Sequence, residues 1–146
     1  LINKAAGEDI NAHCLICNMS AEAIYLSNII VEIEDGDTSW KSSITDMQKL
    51  YTKKPKKTGD ITHQGPLGSG CFFDIGAFKT LLEHGLKQSG APQDILERDN
   101  FSFEVMIIAQ YGSEKLSIAA KRIFYCKKDF EYRLYNMFRP LYIIYL

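Results

Sequence analysis

The chain has 146 residues, 46% of them hydrophobic, with 17 basic side chains against 18 acidic ones. That length holds one sizeable core, and so even a charge balance supplies no whole-chain field for nucleic acid or an anionic membrane. The longest apolar runs, such as Val105 to Ala109 and Leu141 to Leu146, fall far short of the roughly 18–20 residues that a membrane-spanning helix needs. Neither end carries a secretory pattern, and the missing initiator Met leads us to expect that the chain begins inside a longer protein or after a cut.

In the first third, His13 to Asn18 is a short apolar-rich stretch. Tyr25 to Glu34 alternates as a strand does, with Tyr25, Ser27, Ile29, Val31 and Ile33 on one side. The two stretches are expected to pair as a hairpin. Asp35-Gly36-Asp37 ends the strand. Ser43, with Asp46 three residues later, resembles a capping box opening a helix through about Thr52. Ile44, Met47, Leu50 and Tyr51 recur at helical spacing and supply its apolar face.

Periodicity then stops. Residues 53–70 read as a basic, proline-interrupted linker, beginning Lys53-Lys54-Pro55-Lys56-Lys57 and ending Gly65-Pro66-Leu67-Gly68-Ser69-Gly70. Following Gln64, that hexapeptide resembles the remnant of an engineered 3C-type protease site and cloning linker. A natural Gly/Pro turn is the alternative, and Ile61-Thr62-His63 is not the usual hydrophobic recognition segment upstream of such a site. On the first reading, residues 1–52 and 71–146 are two pieces, fused on purpose or separate polypeptides. The shorter piece, near the lower size limit for a core of its own, is expected to lean on the longer one.

In the longer piece, Asp74 is placed as N-cap of a helix whose Ile75, Phe78, Leu81, Leu82 and Leu86 form one apolar face. Gly85 or Gly90 is expected to end it, and Pro92 blocks its continuation. Phe101 to Tyr111 alternates strictly, with Phe101, Phe103, Val105, Ile107 and Ala109 on one face. Lys115 to Cys126 is the return strand, carrying Leu116, Ile118, Ala120, Phe124 and Cys126 on one side, so residues 101–126 are predicted to form an antiparallel hairpin. Asp129 to Arg139 suits a helix or a strand, Pro140 breaks either, and residues 141–146 have the content of a strand. The expected fold class is α+β: an antiparallel sheet with two or three packed helices, its two pieces sharing one core.

Chemistry-bearing patterns are sparse. Cys14-Leu15-Ile16-Cys17 has the spacing of half a zinc site, but no second pair completes four ligands. Zinc held by Cys14 and Cys17 is therefore the alternative to two ordinary half-buried cysteines, and no cofactor is expected. The four cysteines (Cys14, Cys17, Cys71, Cys126) follow no disulfide framework, which favours reduced thiols and an intracellular protein. Against that stand two glycosylation sequons, Asn18-Met19-Ser20 and Asn100-Phe101-Ser102. The lysine run resembles a short nuclear-import signal, or reads as a solvated linker; four lysines with no aromatic platform give only weak support to nucleic-acid binding. His84 beside Glu83 reads as a surface histidine, and no catalytic motif is present.

Eight aromatics crowd into residues 124–145, with Arg133 and Arg139 among them. Tyr, Phe and Arg are enriched at interface centres. The expected function is a non-enzymatic protein-interaction module, whose partner is another protein or the other half of the chain, with no membrane partner. Ile44, Met47, Leu50 and Tyr51 are expected to meet Phe130, Tyr132, Tyr135 and Phe138. A small zinc-containing nucleic-acid- or chromatin-associated module, and an extracellular glycosylated binding domain, are the alternatives.

Overall fold

Three long strands organise the molecule. In the computed structural model, which describes residues 1–46, 62–111, 116–129, 131–136 and 144–145, they are β3 (Ile24–Asp35), β7 (Asn100–Tyr111) and β8 (Leu116–Asp129). All three pair antiparallel in one sheet, β3 on β7 and β7 on β8. The other strands are β1 (Ile2–Ala5), β2 (His13–Cys17), β4 (Thr38–Ser43), β5 (Gly65–Leu67), β6 (Phe72–Ala77), β9 (Glu131–Asn136) and β10 (Ile144–Tyr145). One α-helix, α1 (Phe78–Ser89), and a 3-10 turn over Gln93–Glu97 complete the described residues.

The strands form two sheets. The larger has seven strands in the order β10-β8-β7-β3-β4, with β5 also on β3 and β9 also on β8. The smaller has the order β1-β2-β6. The expected α+β class with two or three packed helices is thus corrected to a mainly antiparallel β architecture with one α-helix among the described residues. The reason lies in the segment after β3. Asp35 pairs with Thr38 across a two-residue loop, with Gly36 at φ 59 in the first central position, where a type II′ turn takes its glycine. The chain therefore folds back as β4, which ends at Ser43, where the helix was expected to open. Ser43 is the last residue of that strand and donates its hydroxyl to Asn28 Oδ1 at 2.8 Å. Residues 47–52 of the expected helix lie outside the described residues.

Two other local expectations change for stated reasons. A register shift between Leu26 and Asn28 marks a bulge in β3. It moves Tyr25 and Ser27 off the inner face: Ile24 and Leu26 point inward before it, Ile29, Val31 and Ile33 after it. Nor does β2 pair with β3. Asn18 closes a turn after β2, its side-chain amide donating to the carbonyls of Glu22 (2.8 Å) and Leu67 (3.0 Å), while its side-chain oxygen accepts from Ser20. The chain leaves this turn into the other sheet, and β2 pairs with β1 and β6.

The hairpin of β7 and β8 follows the expected pattern. Phe101, Phe103, Val105, Ile107 and Ala109 are all buried, and Phe103 stacks on Phe124 of β8 with centroids 5.2 Å apart. Phe78, the first residue of α1, closes this aromatic group at 4.7 Å from Phe124 and 5.5 Å from Phe103. Each fully buried side chain of this kind contributes about 1.5–3 kcal/mol relative to exposure. Leu81, Leu82 and Leu86 bury the rest of the helix face, and Gly90 (φ 70) ends the helix, as one of the two expected glycines. The helix starts later than expected: Asp74 and Ile75 belong to β6, and the N-cap is Ala77 with no side-chain cap.

Residues on both sides of the 53–70 segment build one core. Strand β3 lies between β7 on one edge and β4 and β5 on the other. Gly65–Leu67 is itself a strand, with Leu67 buried opposite Ile24, and Ser69 donates to the carbonyl of Ser20 at 2.7 Å. Among the described residues no helix is long and apolar enough to cross a membrane.

Candidate functional site

The three-stranded sheet has one face in the core and one in solvent. Ile2, Cys14, Ile16 and Ile75 point inward and are buried. Successive side chains on a strand alternate, so the outward set is Asn3, His13, Leu15 and Cys17 on the first two strands. On β6, Phe72 and Phe73 are adjacent and must take opposite faces. Phe73 packs against the core and meets the His63 ring edge-on at 5.6 Å, which leaves Phe72 outside at 64% exposure.

The outward residues form a cross-strand row. Leu1 and Cys17 exchange backbone hydrogen bonds, each 2.8 Å, and Cys17 pairs with Phe72. Met19, just past β2, is 76% exposed beside this row, and Asn18 and Cys71 are joined there by a 2.9 Å backbone bond. Leu1 and Phe72 thus present large apolar side chains from a paired backbone, and Met19 adds a third from the turn that follows β2, which is the property of a surface prepared for contact rather than of isolated exposed residues. Adjacent Phe residues in a strand were the available sequence signal; it needed a strand assignment at residues 72–77 that helical spacing had masked.

Next to the apolar row stands a polar pair. His13 Nδ1 lies 2.7 Å from Asp74 Oδ2, and Asp74 Oδ1 accepts from the Gly76 amide at 2.9 Å. This geometry resembles the base and orienter of a catalytic site, but among the described residues no nucleophile is hydrogen-bonded to it. Cys17 shares the outward face four residues along the strand, roughly 13 Å away at the strand rise, and its sulfur takes a long contact from Asn3 Nδ2. Cys14 faces the core, where burial pushes its thiol well above the ordinary range.

The same alternation governs the Cys14-x-x-Cys17 pair. Residues three apart on a strand take opposite faces, so one thiol is in the core and the other on the surface. On a helix or turn that spacing brings two thiolates to one metal; on β2 it separates them. Among the described residues no group of three or more His, Cys, Asp and Glu side chains is placed to hold a metal ion. All four cysteines are free.

Of the residues expected at an interface, Ile44 is fully buried beside β3, its amide donating to the Ile29 carbonyl at 2.8 Å. It is a core residue. Tyr132 and Tyr135 lie on β9, in register with Lys128 and Tyr125 of β8. Met47, Leu50, Tyr51, Phe130 and Phe138 lie outside the described residues, as does the lysine run. The two sequons differ sharply: Asn18 is 3% exposed and fully engaged in its turn, whereas Asn100 opens β7 in an exposed position. His84 sits half-buried on α1.

The outer face of the larger sheet carries a second pattern. Glu32 and Glu104 are direct cross-strand neighbours, and each is tied to a lysine at 2.9 Å, Lys41 and Lys121 respectively. The hydrogen bond from Lys41 holds the Glu32 carboxyl below its ordinary range. Two like charges side by side would repel; the flanking lysines convert them into a balanced strip. Compared with protein-family models, with curated protein sequences and with solved structures, the chain matches none.

Proposed function

We propose that this chain is a non-enzymatic protein-interaction module that docks another protein on the outer face of its three-stranded sheet. One observation carries the reading: the Leu1–Cys17–Phe72 row with Met19 beside it, where Phe72 is 64% and Met19 76% exposed. The backbone at Leu1, Cys17 and Phe72 is already ordered by strand pairing, so the ordering cost of binding there falls on the side chains alone. The His13–Asp74 pair supplies a polar edge to that apolar centre, the arrangement that specific interfaces take. The partner is a protein with a complementary apolar patch.

An intracellular and nuclear location belongs to the same proposal, supported by four unpaired cysteines and the Lys53–Lys57 run. The reading in which residues 1–52 and 71–146 are partners joined in one chain is supported by the β3–β7 ladder, through which the two segments complete a single sheet.

The test places a photo-crosslinking amino acid at position 72 in cells and purifies the adduct, then measures binding of the identified protein to the purified chain. Phe72→Ser together with Met19→Ser is expected to weaken that binding at least tenfold, with Tyr125→Ser on the other sheet leaving it unchanged. No specific adduct at position 72, or equal binding by the double variant, would remove the proposal.

A further inference from the structure

We draw no further inference here: the strongest candidate, the half-buried apolar band of Ile30, Met106 and Ile123 beside the Lys41–Glu32–Glu104–Lys121 strip on the outer face of the seven-stranded sheet, is an unpartnered face, and nothing in the structure shows what covers it.

Discussion

The backbone amide of Lys79 donates to the carbonyl of Ile10 at 2.7 Å, and the amide of Phe78 does the same to Ala12 at 3.0 Å. The first turn of a helix leaves its amides without intrahelical partners. Here a loop sixty-odd residues earlier in the chain supplies them, in place of a side-chain cap. Helix α1 is therefore capped by tertiary structure, and its start depends on how the β1–β2 loop is anchored. Ile10, 7% exposed, is that anchor.

Truncating Ile10 should loosen the helix start as well as the core. Ile10→Ala is expected to lower stability by about 2–4 kcal/mol, read by urea denaturation. In native-state hydrogen exchange the Phe78 and Lys79 amides should lose more protection than the Leu86 amide. Equal loss at all three would mean that the loop and the helix start are not linked.

Gly85 gives the opposite sign. It lies mid-helix against the larger sheet, with its carbonyl accepting from Ser42 Oγ at 2.8 Å. A Cβ added there would meet Ser42 and Val31 at 3.9 Å, ordinary contact distance. Glycine costs a helix interior about 1 kcal/mol relative to alanine. Gly85→Ala should therefore raise the thermal midpoint, whereas Gly85→Leu, which has no such room, should lower it. A destabilised Gly85→Ala would show that α1 lies closer to β4 than 3.9 Å allows.

The two sequon asparagines should separate by stability alone. Asn18 makes two donor bonds and two acceptor bonds while buried, so Asn18→Ala strands several backbone groups and should cost about 2–3 kcal/mol. Asn100→Ala, at an exposed strand end, should stay within about 0.5 kcal/mol. Denaturation of the two variants side by side checks this, and similar values for both would contradict the burial of the Asn18 turn.

Thiol titration gives a pH dependence with a definite sign. Burial raises the Cys126 thiol from 9.0 to about 11 and pushes the Cys14 thiol up as well. Between those values the unfolded chain loses thiol protons that the folded chain keeps. The folding equilibrium should then weaken as pH rises through 9.0 towards 11, approaching tenfold per pH unit for each such thiol. Cys126→Ala should reduce that slope. In native protein, Cys71 should alkylate first, because it alone among the four is exposed.

Much of this fold was legible where local pattern and local partner coincide. Phe101 to Tyr111 alternates, and its partner β8 follows directly, so pattern and pairing come from neighbouring sequence. The apolar face of α1 was equally plain, since Phe78, Leu81, Leu82 and Leu86 recur within one helix. Ser43 and Asp46 fit a capping box by residue type alone, whereas the place of Ser43 at the end of β4 is set by β3, on which β4 pairs. The Cys14–Cys17 spacing misled likewise: its chemistry depends on backbone period, and β1 and β6 hold it in strand conformation.

The sequence by itself determined which residues must leave water, because apolar burial depends on side-chain type and on its period along the chain. It thereby set the inner faces of β7, β8 and α1. Only the tertiary structure decided which apolar residues stay outside. The bulge at Ser27 re-aims half of β3, and the pairing of Cys17 with Phe72 on one side and Leu1 on the other assembles an exposed row from three segments. Such a row arises from hydrogen-bonded registers between strands far apart in sequence, and no local window of residues contains that information.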